Sequence, residues 1–189
     1  EVANISTTPL TDWLISEIGQ RPAGYDARLH SAHWLSNISA AGVNMCAISH
    51  NPVDDWWQDR PASPVAKAWD YPLEYAGLSS AEKRQQIVNE ISKQQADAAL
   101  ITAAENIAWL LNIRGGDLEC TPVLQAYAIL SASNQIQLFT QPDKISPALL
   151  ASHAQLSIHP LEDLASALAA LTGKTLLLSS ESTPALWVQ

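Results

Sequence analysis

His30 and His33 stand three residues apart, a spacing that puts two imidazoles on one face of a helix. Metal sites use such pairs, but they need further ligands and usually an acidic one among them. Nothing nearby completes the set, so structural histidines are the plainer reading. Asp54, Asp55 and Asp59 form a second group. Paired carboxylates serve acid–base chemistry or cation binding. These flank Trp56, Trp57 and Arg60, and read as surface carboxylates with a local arginine partner. His153 and His159 bracket an expected turn. No Gly-x-Ser-x-Gly elbow exists. Cys46 and Cys120 lie far apart, with no metal, redox or nucleophile signature, and read as free thiols of a reducing cytosol.

The run Arg114-Gly115-Gly116-Asp117 is too short for a dinucleotide fingerprint or a phosphate loop. Its glycines suit positive φ at a sharp helix-to-strand turn. Arg114 and Asp117 are expected to pair across that turn and hold it. On physical grounds a structural corner is preferred to a ligand loop.

The elements around these residues alternate between helix and strand. Thr8-Pro9 opens a helix that carries Leu10, Trp13, Leu14 and Ile18 on one face, with Gly19 as its stop. "GYD" is a short strand or turn, "SAHWLSNISAAG" a second helix and "NMCAIS" a buried strand. Residues 51–72 carry four prolines and three tryptophans. Proline there opposes regular helix, and the tryptophans suggest a segment packed on a surface. Ser79 and Glu82 form a capping-box pattern ahead of Ile87, Val88 and Ile91. "DAALIT" is a strand and "AAENIAWLL" a short helix. "PVLQAYAIL" and "QIQLFT" form a hairpin through "SASN". Pro160 opens "LEDLASALAAL", and "KTLLLSS" is the last strand. In "STPALWVQ", Ser182 or Thr183 caps and Pro184 opens a further helix. With no starting Met, the sequence reads as a piece of a longer protein. The whole is an α/β pattern.

The chain has 189 residues and is 47% hydrophobic, enough for a normal core. Its net charge of −9, with only ten Lys and Arg, argues against nucleic acid and anionic membranes as partners. No apolar run reaches the roughly 18 residues that span a bilayer.

"ENIAWLLNIRGGDLECTPVLQAYAIL" resembles the middle domain of the long, three-domain Xaa-Pro aminopeptidases of the creatinase and prolidase superfamily. Ile107, Ala108, Trp109, Leu110, Asn112, Arg114, Gly115, Asp117, Pro122, Val123, Tyr127 and Ala128 match that family's pattern. Asn106 replaces an acid, and Thr121 stands where Asn is usual, so no role of that Asn carries over. "DARLHSAHWL" resembles the family's end of domain I, "VDDWWQDRP" its interdomain segment, and "PLEYAGLSSAEKR" the opening of domain II. "IHPLEDL" also fits.

The resemblance implies an α/β, creatinase/prolidase N-terminal-domain-like fold, a mixed sheet flanked by helices. It implies the end of domain I at 1–52, an interdomain segment at 53–72 and domain II at 73–189. The family's two metal ions, typically Mn²⁺, are held by two Asp, one His and two Glu of a further catalytic domain. That domain activates water to release a residue preceding proline. No residue here matches a catalytic or metal position, so no cofactor is expected in this chain. Arg114, Gly115, Asp117 and Pro122 are then a structural or interaction loop. The expected role is a cytoplasmic, non-catalytic scaffold that restricts access to the catalytic domain and assembles a homodimer. A stand-alone oligomerisation or peptide-binding module is the second reading. An independent hydrolase built on His30, His33 and the linker aspartates is the third.

Overall fold

The computed structural model describes residues 4–188, in two units. One runs to Pro61 and takes in the chain again from Ser180; the other is Ala62–Ser179.

The first unit holds α1 (Leu10–Ile18), β1 (Ala23–Tyr25), α2 (Ala32–Ala40), β2 (Met45–Ala47) and α3 (Pro52–Trp56). Ser31 caps α2 by accepting a hydrogen bond from the Trp34 backbone N–H. β1 and β2 pair in parallel, with Gly24 opposite Cys46. The strand expected to be buried leaves Cys46 and Ala47 exposed. Among the described residues its ladder has two strands. Helix α3 also departs from the expectation that the prolines exclude one. Pro52 sits at its first position, where no N–H is needed, and Asn51 Oδ1 accepts from Val53 N.

Residues from Ser180 belong to this unit by their hydrogen bonds, whereas the sequence reading placed them with the span 73–189. Ala32 N–H donates to Thr183 O at 2.9 Å, and Ala185 N–H to His30 O at 2.8 Å. Ala185 packs with Tyr25 and Ala27 in a small core. After Pro184 a single 3₁₀ turn, Ala185–Trp187, stands where a capped helix was expected.

The second unit holds β3 (Trp69–Asp70), α4 (Leu73–Ala76), α5 (Ser80–Lys93), β4 (Ala98–Ile101), α6 (Ala104–Leu111), β5 (Ile113–Arg114) and β6 (Tyr127–Ser131). It continues through β7 (Ile136–Phe139), α7 (Pro147–Ala151), β8 (Leu156–His159), α8 (Leu164–Ala169) and β9 (Leu176–Leu177). Five strands form one mixed sheet in the order β8-β7-β6-β4-β9. β4, β6 and β7 run antiparallel to their neighbours among themselves, while β8 and β9 join the edges in parallel. β8 lies where a turn was expected between His153 and His159. Its pairing partner β7, with Ile136 opposite Leu156, supplies the ladder that local sequence does not announce.

Helix α5 begins with the full capping box, Ser79 and Glu82 satisfying each other's backbone N–H groups. Its Ile91 meets Leu110 and Leu111 of α6 and Leu130 and Leu138 of the sheet in one core, each fully buried. Each such aliphatic side chain stabilises the unit by about 1.5–3 kcal/mol relative to exposure. A separate two-stranded ladder sets β3 against β5, with Trp69 opposite Arg114. That ladder positions the Arg114–Pro122 loop.

Candidate functional site

Helix α6 ends on Asn112, which takes the left-handed conformation at φ 51°. Its side chain fixes the turn from both ends. Oδ1 accepts from Lys83 Nζ at 2.6 Å, and Nδ2 donates to Leu78 O at 2.8 Å. Lys83 Nζ also donates to Trp109 O at 3.1 Å, placing a cation at the negative end of α6. Burial, and then the charge of Arg114, hold the Lys83 pKa below its ordinary value.

Arg114 does not pair with Asp117. Its guanidinium lies 4.0 Å from the centre of the Tyr71 ring, and Nη1 donates to Ala108 O and Ile113 O at 3.1 and 2.8 Å. Asp117 turns inward instead. Its Oδ2 accepts from Gln125 N at 2.7 Å and from Lys144 Nζ at 2.9 Å. The two residues expected to clasp the turn thus hold different parts of the unit, Arg114 the Tyr71 ring and the end of α6, Asp117 the buried Lys144.

The glycines also work differently from expectation. Neither Gly115 nor Gly116 has positive φ. A Cβ on Gly115 would stand 2.8 Å from both Leu124 Cα and Val123 O. Close backbone approach, not handedness, is what Gly115 permits. Cys120 carries the left-handed turn at φ 59°. Pro122 lines a shallow surface hollow with Trp69, Leu118 and Cys120. Arg114, Gly115, Asp117 and Pro122 therefore share one tightly packed corner, without a cluster of reactive groups facing a common point.

The histidine pair diverges. His30 lies tilted against Trp34 at 4.1 Å between centroids, its Nδ1 3.0 Å from Asp26 O. His33 reaches Glu181 at 3.3 Å and Asn37 at 2.8 Å. Asp54 meets Arg60 at 2.7 Å, and Asp55 meets His50 at 2.7 Å. Trp56 is 84% exposed, and Trp57 and Trp69 are about half exposed, so the expected packing of these tryptophans is not seen. Both cysteines are free and exposed. Among the described residues no group of three or more His, Cys, Asp and Glu is placed to hold a metal ion.

Two buried arrangements went unforeseen. Asp26 accepts from Arg28 Nε and Nη2 at 2.9 and 2.6 Å, from Arg28 N at 2.9 Å and from Asn51 Nδ2 at 3.2 Å. The Arg28 side chain above all holds the Asp26 carboxyl well below the usual carboxylate range. The local Asp-x-Arg spacing carried a signal for that pair. Asp117–Lys144 carried none, since 27 residues separate its members.

A mixed sheet flanked by helices makes this an α/β domain. Residues 59–189 match the creatinase/prolidase N-terminal domain, and the chain belongs to that family. It is 28% identical over 158 residues to Xaa-Pro aminopeptidase app-1 of Caenorhabditis elegans, covering 80% of this chain and 26% of that protein. It is 33% identical over 142 residues to a probable Xaa-Pro aminopeptidase P of Neosartorya fischeri, covering 72% of this chain and 22% of the relative. The chain thus spans about a quarter of the length of these relatives. In structure it is similar to an X-prolyl aminopeptidase of Caenorhabditis elegans, described as a cytosolic enzyme with a di-nuclear active site. The TM-score is 0.83 at 26% identity, over 94% of this chain and 31% of the other. Among the described residues no helix is long and apolar enough to cross a membrane.

Proposed function

We propose that the chain is the non-catalytic N-terminal and middle portion of a cytosolic, metal-dependent Xaa-Pro aminopeptidase. It supports the catalytic domain and restricts access to it. The observation that carries this reading is the family match over residues 59–189, joined to relatives named as Xaa-Pro aminopeptidases that extend far beyond it. In this reading residues 1–52 are the end of domain I, 53–72 the interdomain segment and 73–189 domain II, whose stretch from Ser180 returns to the first unit. Arg114, Gly115, Asp117 and Pro122 form a structural corner that presents Leu118 and Trp69 to a neighbouring domain. The two metal ions, Mn²⁺ or a similar ion, belong to the catalytic domain. Equilibrium dialysis against Mn²⁺ tests this: no stoichiometric metal is expected on the chain, and one tightly held ion per chain would overturn the reading.

A second reading rests on the exposed tryptophans. Trp13, Trp56 and Trp57 of the first unit and Trp69 and Trp109 of the second are each at least 42% exposed, apolar rings that favour association. A homodimer or larger assembly would then form, or a peptide would bind. Light scattering at rising concentration separates the cases, since a monodisperse monomer throughout removes self-association.

A further inference from the structure

Helix α5 carries two adjacent buried cations, Lys83 and Arg84. Lys83 is matched by Trp109 O and Asn112 Oδ1. Arg84 is not matched. Its Nη2 donates to Gln155 Oε1 at 2.9 Å, and its Nη1 reaches Asn134 O only at 3.5 Å. Its Nε is sealed from solvent without a partner. Among the described residues no carboxylate acts on it, and burial alone pulls its pKa down. A buried guanidinium without a counter-ion is costly and implies that an anion belongs beside it.

A second unpartnered donor lies one turn away. Ser80 is the first residue of α5, is buried, and its Oγ has no hydrogen-bond partner. Ser80 and Arg84 line one hollow of about 480 Å³ with Asn112, His153, Gln155 and Asp70. The start of a 14-residue helix adds the positive end of its dipole, although Ser79 Oγ already takes the Glu82 N–H and the Glu82 carboxylate accepts the Ser79 N–H there. Asp70 is the acid in the lining. It sits at the exposed rim, 3.3 Å from both His153 Nε2 and Ser152 Oγ. Gln155 is exposed, and its contact with Arg84 is a single hydrogen bond between neutral oxygen and guanidinium.

We propose that this hollow binds a small oxyanion, a phosphate or carboxylate group, on Arg84 at the start of α5. Gln155 Oε1, a neutral oxygen on Nη2, stands where one oxygen of the anion would bind. Displacing it opens the Nε–Nη2 edge to a two-point contact, the geometry that guanidinium offers to planar and tetrahedral oxyanions. Ser80 Oγ is the further donor. The inference is independent of the aminopeptidase reading.

The test is thermal unfolding of the 189-residue chain with inorganic phosphate, with acetate, and with chloride at matched ionic strength. A bound anion raises the midpoint with the logarithm of its concentration above the dissociation constant. Phosphate or acetate should give that rise and chloride should not. Gln155→Glu places a carboxylate on Arg84 from within. It should raise the starting midpoint and weaken the response to phosphate or acetate at least tenfold. Arg84→Gln should remove the response; if that variant does not fold, Gln155→Glu decides. A rise that chloride reproduces, a response that Gln155→Glu leaves intact, or no rise with either oxyanion would overturn the proposal.

Discussion

Asp117 and Lys144 form an ion pair of 2.9 Å in which both side chains are sealed from solvent, 0% and 4% exposed. The pair ties the glycine corner to the 3₁₀ turn at Pro142–Lys144, and Asp117 Oδ2 also receives the Gln125 backbone N–H. Lys144→Met leaves a buried carboxylate without its cation and should cost about 3–5 kcal/mol in urea unfolding. The double variant Asp117→Leu with Lys144→Met should recover part of that. Recovery stays incomplete, because the Gln125 N–H loses its acceptor at about 1–3 kcal/mol. A cycle with strictly additive losses would show that the pair is not coupled.

The two glycines of the corner should respond differently to the same change. Gly115→Ala drives a Cβ to within 2.8 Å of backbone atoms of Val123 and Leu124, which cannot yield without moving the loop. A loss of about 1–3 kcal/mol or more is expected from such overpacking. Gly116→Ala meets only the Ala66 Cβ at 3.2 Å, and should cost less than half as much. Equal losses in denaturant titrations would contradict this account of the corner.

Asn112 couples the end of α6 to α5. Asn112→Ala removes the acceptor of the buried Lys83 and strains a left-handed position, so about 2–4 kcal/mol should be lost. Asn112→Gly relieves the strain while still removing the acceptor. Its loss should be smaller, and comparison of the two unfolding curves separates conformation from hydrogen bonding.

The first unit should be acid-sensitive. The folded-state pKa of Asp26 lies well below its ordinary 3.8, chiefly through the Arg28 side chain. A depressed folded pKa means that the stabilisation is fully present above the unfolded value and is lost as pH falls below about 4. The thermal midpoint of the chain should drop through that range, and Asp26→Asn should flatten this part of the profile. An unchanged slope in the variant would remove Asp26 as the cause.

Much of the architecture was legible because the signals are local. The Ser79–Glu82 capping box, the period of α5 and the "SASN" hairpin lie within one or two turns of chain, and each appears where read. The parallel edge strand β8 and the return of residues from Ser180 to the first unit were not legible. Both depend on partners far away in sequence. The corner shows the same limit. Its residues were singled out, but Asp117 found Lys144 rather than Arg114, and Gly115 serves close packing rather than a left-handed turn. Burial of the unmatched Arg84 is likewise a tertiary fact that no residue spacing announces.

The proposed role leaves this chain without catalytic chemistry of its own. The direct measurement is release of the first residue from an Xaa-Pro peptide by the purified chain with added Mn²⁺. The account predicts release no faster than in a chain-free control, with or without metal. Metal-dependent release, abolished by His30→Ala or His33→Ala, would place an active site within these 189 residues and contradict it.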